Sequence, residues 1–434
     1  MTNRIPSNVL VAVLAIWAPA AFAQLAPVSA GTPNTLVVPQ RTVASRNLAS
    51  SEAPVAGAKA NDQGASNLTT RGSLTGDVTQ TQTSVSANEQ TLSVAGADTA
   101  SRGNNLRLQG DVSAPIQQIV TGAGDTPQAI DVGSLTGAAS VVGTATTQGS
   151  ISGAGVTQSS SGTGRGAGGQ TVGVANIQNS QATSINTRGT ITGAITQIQT
   201  STRGSQQSLT AGTVSDLRSA GQVSTNGTVN AAVSQTTTSG LSQQIIDVGS
   251  VKGGNPAEVR TDAVLTGTVT QDAAGSNGAQ IIQIGSVEDS RGNVATRAAS
   301  SGVITQTQNG VSSAQQTISV GSAKDSSTQS ITEAFTTGDI TQSASNGGQI
   351  TQNISVGSSE NSSAVVTTRA LVTGNVTQSG GGSLSTQTIN LGSVRGGGSG
   401  NITTDVQVSG DISQSANGSG QLQRVIVGGV EAGR

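Results

Sequence analysis

The chain has no cysteine, no histidine and no tyrosine, and aromatic residues are 1% of its 434 positions. Each absence closes a route. Without cysteine there are no disulfides and no thiol for lipid attachment. Without cysteine or histidine, the usual nucleophile–base pairs and transition-metal sites lack their ligands, so no enzymatic role, metal or cofactor is expected. Charged residues reach only 10%, with a net charge of −2. No basic stripe interleaved with aromatics exists, and no nucleic-acid partner is expected. Hydrophobic residues are 33%, below the usual globular share, which argues against a large three-dimensional core. Disorder normally joins low hydrophobicity to high charge. Here Val, Ile and Thr are plentiful instead, which favours strands.

The ends of the chain differ from its body. Arg4 precedes the apolar run VLVAVLAIW, and Ala21-Phe22-Ala23 forms a small-residue cleavage site before Gln24. Residues 1–23 therefore read as a signal peptide, and the protein as exported. Its removal leaves Phe335 as the one aromatic. No later apolar segment is long enough to span a membrane, so a hold on the cell surface would come from a partner. Residues 24–66 carry Pro27, Pro33, Pro39 and Pro54; proline blocks ladder hydrogen bonds, and an extended linker or docking segment is expected.

From residue 67 to 434 the chain repeats itself. One anchor is a glycine shortly before an aliphatic-Thr-Gln run: Gly76, Gly110, Gly153, Gly193, Gly227, Gly267, Gly302, Gly338, Gly374 and Gly410. A second closes an aliphatic run: Gly96, Gly133, Gly173, Gly212, Gly249, Gly285, Gly321, Gly357, Gly392 and Gly428, spaced by 35–40 residues. Around the first anchor, aliphatics alternate with polar residues, as at Val406, Val408 and Ile412, the signature of a half-buried strand. Gly, Ser, Asn and Ala between the strands suit a tight arc. The pattern predicts an all-β parallel β-solenoid, or stacked β-arch, of about ten coils of roughly 36 residues. Coils of 18 residues are disfavoured because the two halves place their aliphatics at different offsets.

Three columns follow from that register. Glutamine stands four residues after the first anchor at Gln80, Gln197, Gln271, Gln306, Gln342, Gln378 and Gln414, and five before the second at Gln128, Gln207, Gln244, Gln280, Gln316, Gln352, Gln387 and Gln423. In parallel stacking each amide can donate to the glutamine one rung away, as in cross-β ladders. Five residues before the first anchor stand Arg71, Asn105, Gln148, Arg188, Gln222, Asp262, Arg297, Glu333, Arg369 and Asp405. The last five alternate in sign, which sets register because stacked residues lie about 4.8 Å apart.

Two apparent motifs are set aside. Asp77, Asp111, Asp339 and Asp411 follow an anchor glycine, but calcium requires several convergent oxygens, and these read as solvated turn carboxylates. The Gly164–Gly169 stretch matches a dinucleotide fingerprint by letter; without a strand before it or a helix after it, it reads as an enlarged arc.

The Ile-Thr-Gln run, the Gly/Asn/Ser arc and the glutamine before the second aliphatic strand resemble curlin-type repeats of secreted bacterial functional amyloid. A long, exported, repeat-only chain is also similar in overall character to the holdfast anchor proteins of stalked bacteria. These resemblances imply a cell-surface or extracellular structural protein acting as an adhesin, anchor or fibre subunit in attachment or biofilm. The expected partners are a dedicated outer-membrane exporter or anchor, a polysaccharide, and further copies of the chain joined through the C-terminal coils. The competing expectation is ice or polysaccharide binding by a flat Thr/Gln face.

Overall fold

The computed structural model describes residues 35–431, other than 42–45, 50–54, 57–66, 84–88, 98–101, 104, 123–126, 138–139, 142, 163–167, 202–203, 239, 276, 311, 326–328, 363–364 and 397–399. The described residues form no helix. They form three sheets, of 13, 20 and 8 strands, in which each strand pairs in parallel with its counterpart one coil away. The protein is a parallel β-solenoid of roughly 36-residue coils. The expected signal peptide lies outside the described residues.

One coil shows the plan. A wall strand, Glu258–Leu265, is followed by an outgoing arch strand, Val269–Ala274, a returning arch strand, Asn277–Ile284, and a two-residue corner strand, Val287–Glu288. Alternation decides what each buries: in Val269–Ala274 the pattern is buried at Val269, Gln271 and Ala273 and half-exposed or exposed between them. In two coils the arch closes without a break, giving the single strands Ile340–Val356 and Val376–Leu391. Small residues (Ser345 to Gly348 in the first) let the backbone bend there without losing the ladder.

Two left-handed corners fold the coil back on itself. The first is held at φ between 54° and 64° by Ala95, Gly133, Ala175, Gly212, Gly249, Gly285, Gly321, Gly357, Gly392 and Gly428. Glycine occupies that conformation without steric cost, and the two alanines do so at roughly 1 kcal/mol each. The second corner, after the corner strand, is Asn179, Asp216, Gly253, Asp289, Asp325, Asn361 and Gly396, all at positive φ; Asn, Asp and Gly are the residues that tolerate it.

These corners correct the anchors. Gly133 pairs through its neighbours with Ala95 and Ala175, so Gly96 and Gly173 are not in the column. Likewise Gly110 and Gly227 lie on the wall strands in register with Gly72, Gly149 and Gly189, not with Gly76 and Gly267. The wall glycines are there because a Cβ at Gly189 or Gly227 would lie 2.3 Å from a corner amide nitrogen. Similar glycines in different columns cannot be told apart by spacing alone.

The interior holds two large apolar clusters and a small third one of Ala314, Ala344 and Ile350 in the arch. One apolar cluster, including Leu92, Ile130, Val172, Ile246, Ile318 and Leu391, runs along the axis between wall and arch strands. A second lies between wall and corner strands, and its corner residues run Ala97, Leu135, Ile177, Val214, Val251, Val287 and Ala323. Each coil buries its apolar side only against its neighbours, as solenoid coils do.

Part of the region expected to be an extended linker adds a further partial rung. Thr35–Arg41, Arg46–Ala49 and Val55–Ala56 pair in parallel with Asn67–Leu74, Val78–Thr83 and Gln90–Val94. Pro39 sits opposite Arg71 in the outermost described strand, where no ladder partner is required on the far side.

Candidate functional site

The arch is where this sequence concentrates its polar residues, and it turns them inward. Gln80, Gln118, Gln158, Gln197, Gln235, Gln271, Gln306, Gln342, Gln378 and Gln414 stack on the outgoing arch strands. From Gln118 onward each Nε2 donates to the Oε1 of the preceding coil's glutamine at 2.6–2.8 Å. The returning strands carry a second file, Gln90, Gln128, Gln170, Gln207, Gln244, Gln280, Gln316, Gln352, Gln387 and Gln423, bonded in the same direction at 2.7–3.0 Å.

The two files also clasp the arch shut. Gln378 Nε2 donates across it to the Thr388 carbonyl at 3.1 Å, and Gln387 Nε2 to the Ser415 carbonyl at 3.0 Å. In the inner coils, as at Gln378 and Gln387, both protons of the amide are thus used in a site closed to water. A buried amide without partners costs about 1–3 kcal/mol, so the files hold only because successive coils supply glutamine at the same place. Two residues further on, that condition fails. Gln308 is buried between Ala273 and Ala344, and neither of its amide atoms has a partner.

Every glutamine expected in a column lies in one. Gln118, Gln158 and Gln235 also belong to the file although no anchor glycine stands four residues before them: those positions are Ala114, Ala154 and Ala231, and Gly110, Gly153 and Gly227 lie elsewhere. Gln90 and Gln170 likewise stand five residues before Ala95 and Ala175, where the other coils have glycine. In all five the glutamine spacing, and not the glycine spacing, carries the register.

A third file, interrupted at Leu108, is made of threonine hydroxyls. Thr70, Thr147, Thr187, Thr225, Thr261, Thr296, Thr332, Thr368 and Thr404 each donate a side-chain hydroxyl to the carbonyl of the left-handed corner residue in their own coil, at 2.5–3.0 Å. They tie the wall strand to the corner across the coil.

The charge column stands in register from Asp262 through Arg297, Glu333 and Arg369 to Asp405. Arg297 lies 4.0 Å from Glu333, and Arg369 lies 3.2 Å from Asp405. Asn105 and Gln222 are not in it; Gln109 and Asn226 take those places. Burial pushes the Asp262 carboxyl above its ordinary pKa, against the pull of Arg297 and Arg260. A second alternating column runs down the corner strands: Lys252, Glu288, Lys324, Glu360, Arg395 and Glu431. Its ion pairs span 3.3–3.7 Å. Burial opposes the charge on Lys324, but Glu288, with Asp325 and Glu360, outweighs it and raises its pKa.

Asp247 faces outward beside this column. Burial raises its pKa to about 6, against a hydrogen bond from Ser250 and the attraction of Lys252, with Glu288 adding to the rise; its Oδ1 is buried without a partner. The anchor-following aspartates have separate roles. Asp339 Oδ1 accepts from the Asn375 amide and Asn375 Oδ1 from the Asp411 amide, whereas Asp111 accepts from the Ser150 hydroxyl on the wall. The stretch matching a dinucleotide fingerprint is flanked by strands Val156–Gly162 and Gly168–Val174: a strand does precede it, and a strand rather than a helix follows.

No protein-family model, curated protein or solved structure matches the chain.

Proposed function

We propose that the protein is an exported cell-surface structural element, an adhesin, holdfast-type anchor or fibre subunit serving attachment or biofilm. The observation that carries this reading is the pair of glutamine files, which link every coil from Gln80 to Gln414 and from Gln90 to Gln423 along the axis. Axial bonds in a water-free interior resist extension and leave the outer faces free to vary. The composition and the expected signal peptide support export, with a separate exporter or anchor as partner. Immunogold labelling of intact cells and attachment assays on a strain lacking the gene test it. Surface label and lost attachment are expected; purely internal label with normal attachment would refute it.

A second reading rests on a different face. Thr157, Thr196, Ser234, Thr270, Thr305, Thr341, Thr377 and Ser413 line the outer side of successive outgoing arch strands in register, and Gln117 separates Thr79 from them. That regular hydroxyl array suits ice or a polysaccharide. Thermal hysteresis, or retention on an insoluble polysaccharide that is lost on Thr341→Tyr, would favour it.

A further inference from the structure

The outward side of the wall sheet changes character along the axis. In the early coils it carries Thr69, Arg71 and Ser73, then Arg107, Gln109 and Asp111, and so on to Ser224, Asn226 and Thr228, with no apolar side chain among these positions. From Glu258–Leu265 onward the same positions include Val264, Ala295, Ala299, Ile331, Phe335, Val365 and Leu371. Ile331 is 36% exposed and Val365 40%. Phe335, the one aromatic among the described residues, points outward directly beside Leu371 on the next strand. Between these apolar positions runs the alternating column from Asp262 to Asp405.

We infer that this face is a docking surface for a second copy of the chain, joined through a two-fold axis that runs parallel to the strands midway between Gln329–Thr336 and Val365–Val372. The charge column selects that geometry. A two-fold along the stacking axis would oppose each charge to itself at every rung. An axis centred on one strand would set Glu333 against Glu333 and Arg297 against Arg369. Only an axis between strands sets opposite signs together: Glu333 faces Arg369 of the second copy, Arg297 faces its Asp405, and the reciprocal pairs repeat. The same operation brings Phe335 against Leu371 of the second copy and the reverse, placing four large apolar side chains at the centre.

The size suits a weak, reversible association. The two-fold overlaps four wall strands, Asn293–Ser300 to Ile402–Val408; about 4.8 Å apart and each about 25 Å long, they give about 480 Å² per copy, or about 960 Å² in all, the low end of interface sizes. Apolar groups supply the affinity and the column supplies register, since like charges in apposition are strongly disfavoured. The arrangement is lateral, leaves the coil ends free, and does not depend on the cell-surface reading.

Sedimentation velocity of the full chain tests it, with Phe335→Thr and Leu371→Thr combined as the variant. The early coils carry Ser or Thr at these places natively (Ser150, Thr190 and Thr228), so the coil tolerates the exchange. The wild type is expected to dimerise, with an association that weakens modestly as salt screens the charge column. The variant should associate at least about a hundredfold more weakly with an unchanged melting curve. For register, a chain carrying Ala295→Cys mixed with one carrying Thr403→Cys should cross-link through a short bis-maleimide far better than either alone, because these two positions face each other while each lies three rungs, about 14 Å, from its own copy. A monomeric wild type, a dimer indifferent to the variant, open-ended multimers, or equal cross-linking of each chain with itself would each overturn the inference.

Discussion

The coils before Val229 and those after Glu258 share one interior but are built to different tolerances. In the early coils successive glutamines are 38–40 residues apart; from Gln235 onward the step is 35–36. Gly72, Gly110, Gly149, Gly189 and Gly227 press the early wall strands onto the corner, whereas Ala263, Ala298, Ala334 and Ala370 space the late ones by a methyl group. Both alternating charge columns begin only at Lys252 and Asp262. The glutamine files cross the change without interruption. A water-free polar file requires a partner at every rung, while surface charge and corner clearance can change coil by coil.

The largest expected effect tests the corner clearance. Gly227→Ala would put a Cβ 2.3 Å from the Gly249 nitrogen and 2.6 Å from the Ala211 carbonyl oxygen. Neither backbone atom can swing aside, so the cost should be about 2–4 kcal/mol. Ala298→Gly in a late coil opens only a small gap and should cost about 1 kcal/mol. Denaturant melts of the two variants compare the regions directly, and equal losses would mean that the wall-to-corner clearance does not differ.

The next effect should be the same in both regions. Gln158→Leu in an early coil and Gln306→Leu in a late one each strand the amide atoms above and below, and each should cost about 2–3 kcal/mol. Gln308→Leu, two residues away, removes an amide that has no partner and should instead stabilise by about 1 kcal/mol. If Gln306→Leu and Gln308→Leu shift the thermal midpoint the same way, the files are not what holds the arch.

At the seam, Asp247 links stability to pH. Its pKa of about 6 exceeds the unfolded value, so the neutral acid is favoured in the fold. That contribution is complete below about pH 4 and is lost as pH rises through about 6. Asp247→Asn should stabilise the fold near pH 7 by about 1–3 kcal/mol, read as a higher melting temperature, and change nothing near pH 4; a gain independent of pH would contradict this.

The smallest effect belongs to the late coils alone. Glu288→Lys sets three cations in successive rungs, with Lys252 and Lys324 on either side. Exposed pairs are worth about 0–1 kcal/mol, and the loss should shrink as salt screens it. Salt titration of the melting temperature measures this, and a loss unchanged at high salt would point to packing rather than charge.

The sequence by itself determined the parallel stack, the coil length, most of both glutamine files and the late charge column. Each of these is periodic: a side chain bonded to its own kind one rung away leaves its mark at a constant spacing. What it could not assign was which of several glycines shared a column, because Gly110 on the wall and Gly133 at the corner look alike until φ and pairing separate them. The hydroxyl file from Thr70 to Thr404 and the corner column from Lys252 to Glu431 were equally periodic but sat where no anchor had been placed. Only the tertiary structure decided that Gln306 has partners and Gln308 has none, since that depends on what the neighbouring coils put beside them. It alone brought Ile331, Phe335 and Leu371 onto one outer face, because the side a residue faces is set by the closed coil and not by the residue itself.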